Sequence, residues 1–290
     1  MKKVLATILA LVMVLGVTTI SWATEGGTES GAVAEMGGTN YDDLHTALEA
    51  AKNGGTVKLL GDVNLTTSDW TPVGTSSEPF KGTFDGNGYT ITGLKITSGS
   101  YIGLFGYVGE GATIKNVNLV GASVSGESRV GALIGRIVGD ATVSNCSVDS
   151  ASKVVGDGSN TGGLIGEAIG NITVNLDHLT NHAAVGNKAD ANSRAAGIIA
   201  QVTRGANVTI SNCENRGSIT TNLGYAGGIV AAKQGGSEVS FKNCSNAGTL
   251  TGNYTGSLIA WLVGGNWLSM ANSGDARTAI GAVNISGNEG

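Results

Sequence analysis

Gly163-Leu164-Ile165-Gly166 decides the fold, because the chain repeats it. The same small-apolar-apolar-small pattern stands earlier at Gly103-Leu104-Phe105-Gly106 and Ala132-Leu133-Ile134-Gly135. It returns later at Gly197-Ile198-Ile199-Ala200, Gly228-Ile229-Val230-Ala231 and Ser257-Leu258-Ile259-Ala260. The first apolar positions, 104, 133, 164, 198, 229 and 258, lie 29, 31, 34, 31 and 29 residues apart. A second column, apolar-x-Asn-x, trails each motif. Its asparagines are Asn116, Asn145, Asn181, Asn212, Asn243 and Asn272, spaced 29, 36, 31, 31 and 29. Two columns with one period define a repeat of about 30 residues.

Leucine-rich, ankyrin and tetratricopeptide repeats need a helical half, and these repeats show no 3.6-residue apolar period. Propeller blades are longer, about 40 residues or more. A β-solenoid remains: an all-β chain whose coils each hold about three short strands, paired in parallel with the coil above. At a strand spacing of ~4.8 Å, six coils stand roughly 29 Å tall. Composition agrees. The chain has 48 glycines and 2 prolines in 290 residues and only 13% charged residues, about half the usual ~25%. This suits many short strands joined by tight turns.

The organisation divides into four parts. Lys2 and Lys3, the apolar run Val4 to Val17 and the small residues around Ser21-Trp22-Ala23 read as a signal peptide over 1–23. A Gly/Ser/Thr/Glu-rich linker follows over 24–38. Residues 39–100 hold an amphipathic helix over Tyr41 to Lys52, capped by Asp42 or Asp43, and the first coils. The helix would cover the open end of the solenoid. The repeats occupy 101–290. Without Lys2 and Lys3, 15 basic residues face 22 acidic ones. An acidic exported chain with no basic cluster argues against nucleic acid as a partner. No integral membrane span is expected after residue 23. Cys146, Cys213 and Cys244 are too widely spaced for a disulfide framework or a zinc site.

Gly103-Leu104-Phe105-Gly106 and Gly163-Leu164-Ile165-Gly166 resemble the GLUG motif of bacterial exported proteins. The lead-in Trp70-Thr71-Pro72-Val73-Gly74 and the stretch Phe80-Lys81-Gly82-Thr83-Phe84-Asp85-Gly86-Asn87-Gly88-Tyr89-Thr90-Ile91 are similar to the segment preceding such repeats. The resemblance covers about residues 56 to 283. It implies a pectin-lyase-like, right-handed parallel β-helix in a secreted or cell-surface protein, adhesin-like or a binding or spacer module. The final glycine of the motif gives way to Ala200, Ala231 and Ala260 in later repeats. The family carries no single activity, so fold transfers better than function.

Catalysis by a carbohydrate-active β-helix enzyme, a polysaccharide lyase or hydrolase, is the alternative. It would need acidic residues brought together across coils. No Asp or Glu forms a column: Asp42 and Asp43 lie at the helix, and Asp140, Asp149 and Asp157 fall in turns. Asp85-Gly86-Asn87-Gly88 reads as a tight turn rather than a calcium loop. His178 and His182 lack the further ligands of a metal site, and His182 is placed in the cysteine column. No metal, cofactor or catalytic residue is assigned. Sequons such as Asn171-Ile172-Thr173 are read as composition. The Asn column reads as a hydrogen-bonded ladder.

One column can be read as a ligand surface. Four residues before each first apolar position stand Ser100, Arg129, Asn160, Arg194, Tyr225 and Tyr254. Arg129, Arg194, Tyr225 and Tyr254 would form a row suited to sugar rings or a matrix-protein partner. The plainer reading is a solvated face. At the C-terminus, Trp261-Leu262-Val263 and Trp267-Leu268 make the last coil apolar, and a strand is expected within Thr278 to Ser286. That end is expected to be covered by more chain, a partner or self-association, or alternatively by the two tryptophans folding over it.

Overall fold

The computed structural model describes residues 31–189, 192–262 and the backbone of 283–286. The signal peptide expected over 1–23, Trp267 and Asn272 lie outside the described residues. One turn of the chain runs Ala141–Val148, Lys153–Gly156, Asn160–Gly162 and Ile165–Ile169. These four segments are called faces 1 to 4. Each face pairs in parallel and in register with its counterpart one coil on. On face 1, Ile114, Val143, Leu176, Ile210 and Phe241 stand opposite one another in sequence. Over the described residues the chain is a right-handed parallel β-helix of about seven turns with one short helix. Each coil has four faces rather than the expected three. The motif itself makes the extra corner, as described below.

Face 1 bends in the middle at a residue in the left-handed region: Asn116, Asn145, His178, Asn212 and Asn243, all with φ between 51° and 57°. Asparagine and histidine tolerate this conformation better than most residues. Register places His178, not Asn181, opposite Asn145, because Ser144 pairs with Asp177 and Cys146 with Leu179. The irregular 36-residue spacing in the sequence came from this misplacement. The column spacings become 29, 33, 34 and 31. The cysteine column accordingly holds Cys146, Leu179, Cys213 and Cys244, and His182 stands outside it. After face 4 ends at Leu262, Val239–Lys242 pairs with Val283–Ser286, so the strand within Thr278–Ser286 continues face 1.

The linker expected over 24–38 gives way to strand at Ala34. Ala34–Met36 forms an antiparallel hairpin with Thr39–Tyr41 and an antiparallel pair with Thr56–Leu59. That arrangement covers the first parallel edge. The helix is shorter than expected: α1 spans Leu44–Ala50, because Tyr41 is taken by the hairpin. Asp43 caps it, accepting a 2.7 Å hydrogen bond from the Thr46 amide. Leu44, Ala47, Leu48 and Ala51 are buried in the same core as Val57 and Phe84.

Inside the barrel, one column changes character. It reads Ile91, Leu119 and Val148 in the lower coils, then Asn181, Asn215 and Asn246. The Asn181 amide donates to Asn215 Oδ1 at 2.8 Å and the Asn215 amide to Asn246 Oδ1 at 2.6 Å. Each amide also donates to the backbone two residues on, at Ala183, Gly217 and Gly248. A ladder was expected, and two exist. The outer one joins Asn116 to Asp85, Asn145 to Asn116, and Asn243 to Asn212.

Candidate functional site: a groove between faces 3 and 4

The motif builds a tight corner. A side chain at Gly162, just before the motif, would meet the carbonyl of Ile165 at 1.8 Å, and one at Gly227 would meet that of Val230 at the same distance. The first motif position packs on the inner ladder: a Cβ at Gly163 would stand 2.5 Å from Asn181 Oδ1, and one at Gly197 2.4 Å from Asn215 Oδ1. The last packs on face 3, where a Cβ at Gly166 would meet the Arg129 backbone at 2.6 Å. Glycine therefore lets two strands meet at a sharp angle, and that angle is concave on the outside. On face 4 the buried apolar positions are three apart, Phe105 and Val108, Ile134 and Ile137, rather than two. The strand kinks at the glycine, and the residue after it faces out.

Two side-chain columns line this groove. Face 3 supplies Arg129, Asn160, Arg194, Tyr225 and Tyr254, in register as the sequence indicates. The first member is Tyr101, not Ser100, because Ile102 bridges Val130. The second column was not recognised in the sequence: Tyr107, Arg136, Glu167, Gln201, Ala232 and Trp261 on face 4. Its signal was present, since each residue directly follows the last position of the motif.

The columns meet across the groove. Arg136 Nε donates to Glu167 Oε2 at 2.7 Å, and Arg129 Nε lies 3.4 Å from the same oxygen. The Arg136 and Arg129 guanidiniums lie 4.5 and 5.4 Å from the Tyr101 ring centre. Asn160 donates to Gln201 Oε1 at 2.6 Å, while its own Oδ1 accepts from Arg194 Nη1 at 3.3 Å. Higher up, Tyr225 stacks on Tyr254 at 5.1 Å and on Trp261 at 5.0 Å, with ring planes 19° and 15° apart. Arg194 lies 5.1 Å from the Trp261 ring centre. The lower part holds a hollow of about 480 Å³, whose lining includes Arg129, Arg136, Arg194, Arg204, Glu167 and Gln201.

Burial lowers the pKa of Arg194 below its ordinary value, against the opposing influence of Tyr225 and Glu167. Its Nε is buried with no hydrogen-bond partner among the described residues. Backbone strain gathers here too. Among the described residues, the positive-φ residues that are neither Gly, Asn nor His are Tyr101 at 60°, Arg129 at 54° and Arg204 at 58°. All three line the hollow. Such conformations cost about 1–3 kcal/mol each and concentrate at functional sites.

Acidic residues elsewhere tie coils together. Asp140 accepts from the Thr173 amide at 2.7 Å, and Asp149 from the Gly121 amide at 2.9 Å. Asp85 accepts from the Asn87 amide at 2.8 Å within its turn, and Lys115 lies 3.3 Å away. His178 and Asp177 pair at 2.8 Å on the exposed surface. A smaller hollow of about 270 Å³ lies beside α1, lined by His45, Asp69 and Trp70.

No family model matches the chain. It is 39% identical over 103 residues to a candidate Gly-rich membrane protein of Evansella cellulosilytica, covering 32% of this chain and 12% of that protein. It is 39% identical over 75 residues to halomucin of Haloquadratum walsbyi, covering 24% of this chain and 1% of that protein. The chain thus spans a small part of the relatives it matches. A solved structure of a candidate immunoglobulin A1 protease from Bacteroides ovatus superposes with a TM-score of 0.65 at 19% identity, over 81% of this chain and 78% of the other. At that identity the likeness shows the fold alone.

Proposed function

We propose that the chain is an exported, adhesin-like β-helix module that holds a glycan in the groove between faces 3 and 4 without transforming it. The carrying observation is the pair of facing columns, in which Tyr225, Tyr254 and Trp261 form a stacked aromatic end above a polar, arginine-rich hollow. Aromatic faces and convergent polar groups are what sugar rings require. The coil rise of ~4.8 Å repeats these groups at close to the length of one pyranose along a polysaccharide. Extracellular placement rests on the sequence-level export signal and on the kinds of protein the chain resembles.

Glycan and matrix-protein arrays probed with the exported chain test this reading. Binding to glycans, lost in Trp261→Ala with Tyr254→Ala, is the expected result. Binding to matrix proteins alone would overturn it. The second reading is an enzyme, either carbohydrate-active or, by analogy with the Bacteroides ovatus protein, a protease. The groove lining supplies one carboxylate, Glu167, already ion-paired to Arg136 and Arg129. General acid–base hydrolysis ordinarily uses two. Release of fragments from a bound polysaccharide, or from immunoglobulin A1, would favour the enzyme.

A further inference from the structure

The arginines of this chain are not scattered. The sequence holds six, at positions 129, 136, 194, 204, 216 and 277, and four of them line one hollow. The hollow's lining contains no lysine and a single acid, Glu167. Four positive charges less one negative leave three in excess, in a chain whose formal charge is −5. Glu167 is shared by Arg136 and Arg129. Among the described residues no carboxylate lies within ion-pair distance of Arg194: one nitrogen donates to Asn160, its Nε is buried without a hydrogen-bond partner, and the residue is only 9% exposed. Burying a guanidinium with a donor unsatisfied is costly unless a ligand completes it. Two of the four arginines, Arg129 and Arg204, also sit on strained backbone, of the kind that concentrates at functional sites.

We propose that the lower hollow is an anion subsite, and that the groove's ligand is an acidic polysaccharide whose carboxylate or sulfate group sits against Arg194, with Arg129 and Arg204 at its flanks. The inference rests on the glycan reading above and names the ligand's chemical class. A guanidinium fork matches a planar carboxylate or a sulfate through paired hydrogen bonds, which an ammonium does not. The adjoining Trp261, 5.1 Å from Arg194, then receives the neighbouring sugar ring. No bond is made or broken in this step.

Isothermal titration of the full exported chain with three polymers tests the proposal: hyaluronate, carrying carboxylate only; dextran sulfate, carrying sulfate; and dextran, neutral. The expected result is binding of an anionic polymer but not of dextran, weakening at least tenfold between 50 and 500 mM salt, on the order expected as the screening length shrinks. Hyaluronate binding identifies carboxylate as the group, and dextran sulfate binding alone identifies sulfate. Arg194→Lys keeps the charge and loses the fork, and should weaken binding at least tenfold. Arg204→Asn and Arg129→Asn each remove a charge and keep a residue that accepts positive φ. Either should weaken binding several-fold while leaving the circular dichroism spectrum unchanged. Dextran bound as tightly as hyaluronate, with these variants unaffected, would overturn the anion subsite and leave the glycan reading standing. Binding of none of the three polymers, with neutral glycans still captured on the array, would overturn it in the same way. An empty array as well would overturn both.

Discussion

At the scale of single residues, the inner asparagines carry the most information. Asn215 is fully buried, donates to Asn246 and Gly217, and accepts from Asn181. Its amide leans on Gly197, so the ladder and the motif's first glycine specify each other. Asn215→Ala leaves two neighbouring amides short of a partner and should lower stability by about 1–3 kcal/mol in urea unfolding. An unchanged midpoint would mean that the ladder is decorative. The thiols make a second case. Burial pushes Cys146 up to about 12 and raises Cys213 as well. Cys213 and Cys244 sit in one column on successive coils, with side chains pointing the same way, which opposes disulfide torsion. Intact mass after blocking of free thiols in denaturant should show all three cysteines reduced, and a native Cys213–Cys244 crosslink would refute this.

At the scale of elements, the turns join coils through aspartate. For Asp149, burial acts to raise the pKa, but bonds from Ser152 and from backbone amides outweigh it and hold the carboxyl below its usual range. A depressed folded value means that its contribution is present above the unfolded pKa of about 3.9 and disappears as pH falls through the folded one. Acidification below about pH 4 should therefore destabilise the wild type more than Asp149→Asn, as read from thermal melts across pH. Equal acid sensitivity would remove Asp149 from the account. What the sequence shows of these elements follows from like stacking on like: the Leu/Ile column was legible because parallel register makes it periodic. The register slipped at Asn181 because a histidine, His178, occupies the left-handed bend and broke the asparagine pattern. The fourth face was hidden because its corner is made by glycines, which signal a turn without giving its angle. The face 3 column was legible apart from its first residue. Its face 4 partner was missed because the three-residue spacing of buried positions there defeats the alternation expected of a strand.

At the scale of the whole molecule, the β-helix sets a row of polar and aromatic groups along one external corner and repeats it coil by coil. The same glycines that let the chain turn so sharply make that corner concave. Fold and groove are thus one consequence of the repeated motif, while the identity of the lining residues varies freely from coil to coil. The middle coils supply charge, and the coils at either end supply rings. Binding in this corner is what the function turns on. The decisive measurement is a crystal structure of residues 24–290 grown with a hyaluronate hexasaccharide. A sugar chain should lie along the helix axis between faces 3 and 4, with a carboxylate within hydrogen-bond reach of Arg194 and a ring against Trp261. A sugar chain seated on face 1, face 2 or the hollow beside α1, with the groove empty, would contradict it.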